Sequence, residues 1–343
     1  MRALHLVACC LLGLGLPWQP AVALVARGLL RASTTARRVG ADSFRDYDGG
    51  FDGYEIFVHE EHPRTRETAL RHCEKYGSWS SRHVLAGHTR QSFAAALAFV
   101  DAFYAGRGEE ASTKPVILDS GCGQGLSTQQ LGRANPSVPV IGIDRSINRL
   151  SRNVIERVEL GGSDKEDEEE EGLGGEEEGK GAEAVAAPFA KSFKSHPNIL
   201  LVRAEIADFW LLACLQSQWT VQQHTILYPN PYPKGKHLRR RWHGHPCFPV
   251  LLALGGSVRV RSNWKTYCDE MHTSIQVCVA AGHFPNYSSL RTGAYTLPPG
   301  LPPTTHFERK YLAAGVALHE TVCEMPPREP GERHSLLAAL AGT

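Results

Sequence analysis

One stretch decides the fold: Pro115-Val116-Ile117-Leu118-Asp119-Ser120-Gly121-Cys122-Gly123-Gln124-Gly125. It is a short apolar run that ends in an acid and a glycine-rich loop. A helix-like segment follows over residues 127–134, and a second apolar run over residues 138–143 ends in Asp144. Because strand, loop, helix and strand follow one another with short connections, this part of the chain predicts a parallel α/β sheet.

The same pattern continues outward from this stretch. Apolar runs at residues 199–202, 225–228 and 256–260 predict further strands, and residues 64–107 have the spacing of helices. Residues 147–160 are predicted to form one helix after the second strand. The fold class is therefore α/β and Rossmann-like, with helices on both faces of a mostly parallel sheet.

The overall charge hides a segregation along the chain. The 343 residues are 42% apolar, enough for one large core, and their formal charge is +1. Residues 161–183 hold eleven acids and two lysines, a net charge of −9, which leaves +10 for the rest. The Gly/Glu composition of residues 161–187 predicts a disordered insertion. The basic remainder suits a polyanionic partner such as RNA.

The N-terminal 41 residues have the composition of a targeting leader. An apolar run over residues 4–16, too short to span a bilayer, is followed by an Arg/Ser/Thr-rich stretch, and the first acid of the chain is Asp42. This order resembles the bipartite leaders of plastid proteins in algae with complex plastids, so we expect a plastid location. Plain secretion and a mitochondrial transit peptide are the alternatives.

The segments together predict a domain organisation. The leader covers residues 1–41, a helical arm covers 42–110, the main domain covers 111–330, and a tail covers 331–343. The nine cysteines form no C-x-x-C pair, which favours a reduced compartment over a disulfide or zinc framework. His243-x-His245 has no ligand partner at a suitable spacing, so we predict no metal site.

The glycine loop departs from the dinucleotide fingerprint G-x-G-x-x-G. Counted from Gly121, the third glycine position holds Leu126; counted from Gly123, it holds Thr128. The third glycine allows a helix to pack closely behind a bound pyrophosphate, and a ligand without pyrophosphate does not need it.

The acids at the strand ends indicate which ligand the loop suits. Asp119 precedes the glycines, where a carboxylate can bind the ammonium group of S-adenosylmethionine. Asp144 ends the next strand and is placed to bind ribose hydroxyls, while Glu205 follows a third strand. The alternative is that the glycines make a tight turn and Asp144 caps a helix. The loop, the acid and the strand-helix-strand frame together favour a cofactor site.

The most informative segment runs from Tyr228 to Pro246. Pro229, Pro231 and Pro233 restrict the loop that follows a predicted strand, at the sheet edge where α/β proteins bind ligands. The segment also carries aromatic side chains and five cations: Lys234, Lys236, Arg239, Arg240 and Arg241. Cations neutralise phosphates and aromatic rings stack on bases, although a solvated basic turn with a buried Trp is the alternative.

These motifs resemble the bacterial tRNA (guanine-N7)-methyltransferases. That family has an E/D-x-G-x-G cofactor loop, a P-D-P-W-x-K-x-R-H-x-x-R-R block, a later T-D-W and a C-terminal T-x-F-E-x-R. This chain has the corresponding loop at residues 119–123, the block at 229–241, Ser262-Asn263-Trp264, and Thr305-His306-Phe307-Glu308-Arg309. The likeness covers roughly residues 115–325, with four motifs in the same order.

The resemblance implies a class I methyltransferase with a seven-stranded sheet, S-adenosylmethionine as cofactor and tRNA or another structured RNA as partner. It implies no membrane span and gives no information on a partner protein. It implies a cofactor site at Asp119, Gly121, Gly123, Asp144, Glu205 and Asn230. It places the guanine at Lys234, Asn263, Thr305 and Glu308. The catalytic group would be Asn230, Lys236, His237 and Arg240.

Two residues depart from the family pattern. Asn230 and Asn263 stand where the family has Asp. An amide offers one acceptor oxygen and two donor hydrogens, whereas a carboxylate only accepts. Two further functions therefore stay open beside guanine-N7 methylation: methylation of an exocyclic amine on nucleic acid or protein, and a non-catalytic RNA-binding or assembly role.

Overall fold

Eight strands form one sheet in the computed structural model, which describes residues 60–108, 113–159 and 188–342. All of them belong to one unit, Gly49–Thr343. The strands are β1 Lys114–Ser120, β2 Val140–Asp144, β3 Ala190–Ser192, β4 Ile199–Arg203, β5 Trp219–Leu227, β6 Gly255–Ser262, β7 Ser289–Tyr295 and β8 Leu318–Pro327. Their order across the sheet is β3-β4-β2-β1-β5-β6-β8-β7.

Five central strands are parallel, which confirms the predicted α/β class. β1 pairs with β2 on one side and with β5 on the other, and β4 and β6 extend the parallel set. β8 runs antiparallel between β6 and β7. The described residues contain eight strands rather than seven because β3 adds a short antiparallel edge to β4. The predicted leader and the predicted acidic insertion lie outside the described residues.

The order of the strands places a crevice at β1. The chain moves from β1 outward through β2 to β4, then returns to the other side of β1 as β5. The loops that follow β1 and β5 therefore diverge at their carboxyl ends, which is where open α/β sheets bind ligands. The residues Val116, Ile117 and Leu118 of β1 are all buried, as expected for a strand covered on both faces.

Eleven α-helices accompany the sheet within the described residues. They are α1 Thr65–Glu74, α2 Tyr76–Ser80, α3 Gly87–Ala105, α4 Leu126–Ala134, α5 Ile147–Ser151, α6 Val154–Glu159, α7 Ile206–Gln216, α8 Phe248–Leu254, α9 Lys265–Ala280, α10 His306–Ala313 and α11 Pro330–Ala341. Two 3₁₀ turns, Gly235–Arg240 and Trp242–Gly244, lie between β5 and α8. None of these helices combines the length and the hydropathy that crossing a bilayer requires.

The helix predicted over 147–160 is divided in two. Asn153 interrupts it, because its amide nitrogen donates to the Leu150 carbonyl while its amide oxygen accepts from the Glu156 backbone N–H at 2.8 Å. That oxygen satisfies a donor at the start of α6, as an N-terminal cap does. A local side-chain bond thus restarts the helix at residue 154.

The helices of the predicted arm pack on the sheet domain. α1 lies against α9, and α3 lies against β4 and α7. Phe93 of α3 is buried and meets Phe209 of α7 edge to face, with ring centroids 5.1 Å apart. From residue 65 onward, the arm therefore contributes to the same apolar core as the sheet.

Residues 331–341, predicted as part of a tail, instead belong to helix α11. Its Arg333 is fully buried and donates to the Ser217 carbonyl, at the end of α7, and to the Arg328 carbonyl, both at 3.0 Å. Leu337 of the same helix is buried in the core. A cation at a helix carboxyl end satisfies carbonyls that have no partner within the helix, and this partner lies more than a hundred residues away in sequence.

Candidate active site

The loop after β1 depends on glycine for its backbone. Gly121, Gly123 and Gly125 have φ of 81°, 58° and 82°, in the left-handed region that favours glycine. A Cβ atom on Gly121 or Gly123 would meet nothing within 4 Å, whereas one on Gly125 would lie 3.1 Å from Leu201. The first two glycines therefore border open space at the crevice, and the third packs against the sheet.

Asp144 joins this loop to the end of the neighbouring strand. The residue is 3% exposed. One carboxylate oxygen accepts from the Gly123 backbone N–H at 2.9 Å, and the other accepts from the Ser146 backbone N–H at 2.8 Å. The structure thus brings together the predicted glycine loop and the predicted strand-end acid.

Asp119 lies beneath the loop, with its carboxylate bonded within the protein. It accepts hydroxyl hydrogen bonds from Ser127 at 2.6 Å, Thr128 at 2.7 Å and Thr225 at 2.8 Å. Burial raises the pKa of this carboxyl, and the three hydroxyl donors act in the opposite direction. Asp119 therefore fixes the start of α4 against β5, and direct contact with a ligand ammonium stays a prediction.

A buried polar chain that the sequence did not reveal supports the same strand. The Trp210 indole N–H donates to Ser120 Oγ at 2.9 Å, and Ser120 Oγ lies 2.8 Å from His224 Nε2. Burial lowers the pKa of His224 to about 3, so its imidazole is neutral at physiological pH. These residues are 90 and 104 positions from Ser120, too far apart for any local pattern to connect them.

Glu205 follows β4, as predicted, and its side chain is exposed. It occupies the N-terminal cap position of α7, and its backbone N–H donates to Thr89 Oγ1 at 2.9 Å. That bond ties the carboxyl end of β4 to helix α3. The carboxylate itself stays accessible at the sheet edge where Asp144 lies.

The loop after β5 has a constrained backbone. Tyr228 and Tyr232 have φ of 51° and 45°, the positive values among described non-glycine residues. Such conformations are costly for bulky side chains and persist where the surroundings fix them. The Tyr228 hydroxyl donates to Glu308 at 2.9 Å, and Asn230 Oδ1 accepts from the Tyr232 backbone N–H at 3.2 Å. Asn230 is exposed between these two residues.

Arg241 holds the loop after β5 through hydrogen bonds to its backbone. Its buried guanidinium donates to the Tyr232 carbonyl at 3.1 Å and to the Pro233 carbonyl at 3.3 Å. It also pairs with Glu270 and lies over the Trp264 ring, 4.7 Å from its centroid. The sequence placed Arg241 in a run of cations, but it gave no sign that this one is buried.

Glu270 of α9 bonds to Arg241, His243 and the backbone of His62, and no local sequence motif indicated this cluster. Besides Arg241, its carboxylate accepts from the His62 backbone N–H at 2.7 Å and lies 2.8 Å from His243 Nε2. Burial alone would raise its pKa, but the hydrogen bond and charge of His243 and the charge of Arg241 lower the pKa to about 2. Glu270 therefore remains ionised at neutral pH.

This cluster also accounts for the His243-x-His245 pair. His243 bonds to Glu270, while His245 Nδ1 accepts from the Cys247 backbone N–H at 3.1 Å. Within residues 60–108, 113–159 and 188–342, no group of three or more His, Cys, Asp or Glu side chains could hold a metal ion.

The predicted cations project around the loop. Lys236 and Arg240 are exposed, and the Arg240 guanidinium lies over the Tyr232 ring, 5.7 Å from its centroid. The His237 ring meets the Tyr232 ring edge to face, with centroids 6.2 Å apart. Burial and the charges of Arg240 and Lys236 lower the pKa of His237. Lys234 is partly buried at the start of the same turn.

The predicted base-binding residues differ in their burial and in their hydrogen bonds within the protein. Asn263 follows β6 and is partly buried. Thr305 caps α10 by accepting from the Glu308 backbone N–H at 2.9 Å. Glu308 is fully buried and accepts from Tyr228, from Thr304 Oγ1 at 2.7 Å and from Arg261 at 3.2 Å. Glu308 therefore anchors the β5 loop, and its contact with a base stays a prediction.

Comparison with known proteins relates the sequence of this chain to methyltransferases. The family model described as "Putative methyltransferase" matches residues 113–321. A tRNA (guanine-N(7)-)-methyltransferase of Halorhodospira halophila is 32% identical over 110 residues, which are 31% of this chain and 45% of that protein. The enzyme of the same name from Mycobacterium ulcerans is 25% identical over 216 residues, 61% of this chain and 62% of that protein.

The coverage of these relatives is partial. The chain spans about half the length of the first relative and less than two thirds of the second. Among solved structures, the 16S rRNA methyltransferase KamB aligns with 63% of this chain and 90% of its own, at 17% identity and a TM-score of 0.36. The order and direction of the strands define the α/β fold of this chain.

Proposed function

Because this chain belongs to the family described as "Putative methyltransferase", we propose that it transfers a methyl group from S-adenosylmethionine to guanine N7 in tRNA. One observation supports this most directly. Asp144 and the glycine loop meet at the carboxyl end of β1, and the constrained loop of Asn230 follows the adjacent strand β5. The two relatives described above are named as tRNA (guanine-N(7)-)-methyltransferases, and a cofactor loop beside a base-binding loop is the arrangement that methyl transfer to a base requires.

The residues at the crevice fit S-adenosylmethionine. Open space borders Gly121 and Gly123, where any other residue would add a Cβ atom. Glu205 presents an accessible carboxylate that can accept from the adenine amine or a ribose hydroxyl. Asp144 is nearly buried and already accepts from two backbone N–H groups, so a ribose hydroxyl can use only its remaining lone pairs. When bound, the cofactor supplies a methyl group activated by a positively charged sulfur.

The chemistry demands positioning more than acid–base catalysis. Guanine N7 has a free lone pair and no proton, so no residue must remove one before the methyl group is transferred. The rate then depends on holding the reacting atoms about 3–3.5 Å apart and aligned. The fixed backbone around Asn230, held by Tyr228 and Arg241, provides a rigid surface for the base.

The exposed cations complete the proposed site. Lys236 and Arg240 lie beside the Asn230 loop and can neutralise phosphates next to the target nucleotide. Tyr232 presents an aromatic ring, already contacted by Arg240 and His237, in the same turn. These groups would orient the RNA, while Asn230 and Asn263 would meet the base edge.

The test is to incubate the protein with unmodified tRNA and S-adenosylmethionine, digest the tRNA and identify methylated nucleosides by mass spectrometry. We expect 7-methylguanosine. A methyl group on an exocyclic amine would instead support the second function, which the amide of Asn230 favours because it can accept from an amine.

The same protein preparation tests the third function, a non-catalytic RNA-binding or assembly role. No measurable S-adenosylmethionine binding by calorimetry, combined with tRNA binding and no methylated nucleoside, would identify a non-catalytic RNA-binding or assembly factor. The absence of the family's two carboxylates at residues 230 and 263 is the observation that favours this outcome.

A further inference from the structure

A concavity of about 460 Å³ lies between the N-terminal helices and the basic 3₁₀ turn, outside the crevice described above. Four side chains with permanent positive charge line it: Arg71, Lys75, Arg82 and Arg239. No carboxylate is among its lining residues. Arg71 lies in α1, Lys75 lies between α1 and α2, and Arg82 follows α2, and no sequence motif includes these three residues.

The cations are accessible and oriented. Lys75, Arg82 and Arg239 are exposed. Arg82 donates to the Ser78 carbonyl and to Ser78 Oγ, both at 2.8 Å, which limits the directions its guanidinium can take. The Trp79 ring, 4.7 Å from the His83 ring, adds an aromatic surface to the wall.

Nearby acids leave this charge largely uncompensated. Asp208 is buried and already bonded to His83 at 2.6 Å and to the Ala86 backbone N–H at 2.8 Å. Glu67 forms a long contact of 3.7 Å with Arg71 at the surface, which water and salt screen. The wall of the concavity therefore presents net positive charge to solvent.

The concavity is also fixed relative to the segment from Tyr228 to Pro246. His72 Nε2 donates to the Gly244 carbonyl at 2.9 Å, which joins α1 to the second 3₁₀ turn. Burial is the main cause that lowers the pKa of His72, and the charges of Arg71 and Arg239 lower it further. Both cations therefore lie close to the His72 ring. Arg239 itself belongs to the turn that carries Lys236 and Arg240.

We propose that this concavity binds the phosphodiester backbone of the RNA substrate, at a position away from the methylated base. The inference rests on the proposed function for the identity of the RNA. Arg and Lys beside an aromatic ring suit a phosphate backbone and a neighbouring base. Continuity with the basic turn favours one RNA strand that contacts both surfaces.

Such a contact would set affinity and register without taking part in methyl transfer. Phosphate contacts position a nucleic acid and make its affinity depend on salt, because each one releases condensed counterions. We therefore expect changes here to alter tRNA binding and leave the methyl-transfer rate at saturating tRNA unchanged.

The experiment compares two double variants with equal changes in charge. Lys75→Gln with Arg82→Gln removes two cations of the concavity, and Lys194→Gln with Arg291→Gln removes two exposed cations elsewhere. Each is titrated with an unmodified tRNA transcript at several KCl concentrations. The first variant should bind more weakly, and the slope of log affinity against log salt should fall by roughly 0.7–0.9 per lost phosphate contact.

The outcomes separate this inference from the proposed activity. A slope equal to that of the control variant would overturn it, and so would an absence of tRNA binding by the unchanged protein. Normal tRNA binding without methylation would contradict the proposed activity alone, because the salt slopes still test the concavity. Lys75→Gln alone repeats the test with a side chain that bonds to no other described residue, in case the double variant folds poorly.

Discussion

At the scale of single residues, Asp144 holds the glycine loop after β1 with one carboxylate oxygen and the residue before α5 with the other. Asp144→Asn leaves one acceptor oxygen, so either the Gly123 or the Ser146 backbone N–H loses its partner. Hydrogen bonds to charged groups contribute about 1.5–3 kcal/mol. We therefore expect the affinity for S-adenosylmethionine, measured by calorimetry, to fall about 10- to 100-fold.

The control for this change is Asp101→Asn. Asp101 is an exposed carboxylate that pairs with Lys114 at 2.5 Å, away from the loop after β1. Its variant should bind the cofactor as the unchanged protein does. Equal affinities for the Asp144 variant and this control would show that Asp144 does not hold the cofactor.

Asn230 offers the opposite experiment, in which a family residue is restored. Asn230→Asp should keep the turn, because a carboxylate oxygen can accept from the Tyr232 backbone N–H as the amide oxygen does. Charge-assisted hydrogen bonds are roughly twice as strong as neutral ones. If the side chain accepts from the donor edge of guanine, kcat/KM for tRNA methylation should rise about tenfold.

The comparison variant is Asn230→Ala, which removes the acceptor and should lower kcat/KM below that of the unchanged protein. Initial rates with a labelled methyl donor, at tRNA concentrations well below KM, give kcat/KM for all three proteins. A rate for Asn230→Asp at or below the unchanged value would show that residue 230 does not accept from the base.

At the scale of structural elements, Glu270 on α9 connects the β5 loop, the second 3₁₀ turn and the residues before α1. Glu270→Gln leaves the buried Arg241 guanidinium without a charged partner. Loss of one partner of a buried ion pair costs about 3–5 kcal/mol. We expect the free energy of unfolding, measured with urea, to fall by this amount, together with tRNA methylation.

Asp269→Asn is the matched control, one position away on the same helix. Its carboxylate pairs with the exposed Lys265 at 2.5 Å, four residues earlier. Surface pairs of this kind contribute at most about 1 kcal/mol, so the free energy of unfolding should change little. Similar losses in the two variants would contradict the role assigned to Glu270.

The same cluster predicts how stability responds to acid. The pKa of Glu270 is lowered from the ordinary 4.5 to about 2 in the folded protein. A carboxyl with a depressed folded pKa stabilises the fold above its unfolded pKa, and that contribution is lost as the pH falls from about 4.5 toward 2. The difference in unfolding free energy between the unchanged protein and Glu270→Gln should therefore shrink across this window. A difference that stays constant between pH 6 and pH 3 would contradict it.

At the scale of the whole molecule, the N-terminal segment is proposed to direct the protein to a plastid. Residues 1–60 fused to a fluorescent protein should accumulate in the plastid of an alga with complex plastids. Deletion of the apolar run over residues 4–16 should abolish entry, because that run supplies the signal for the first membrane. Fluorescence of the full fusion in the secretory pathway or in mitochondria would identify one of the two alternatives.

The sequence by itself determined the central sheet and the position of the crevice. Strand runs, the glycine loop and the acid at Asp144 are local features, because hydrophobic periodicity and glycine content are visible in a few adjacent residues. Parallel strands also bring their carboxyl ends to one edge, so the sequence alone assigns Asp144 and the loop of Asn230 to the same crevice. The break at Asn153 and the helix α11 were missed because they depend on particular hydrogen bonds rather than on periodicity.

Only the tertiary structure decided which polar groups are buried and which residues are their hydrogen-bond and ion-pair partners. Arg241 and Arg240 are adjacent in a run of cations, yet one is buried against Glu270 and the other is exposed. Asp119 and Glu308 match cofactor and substrate motifs, but folding surrounds them with hydroxyl and guanidinium donors from distant segments. A buried charge needs partners whose identity depends on how helices and strands pack, and a one-dimensional pattern contains no information on that packing.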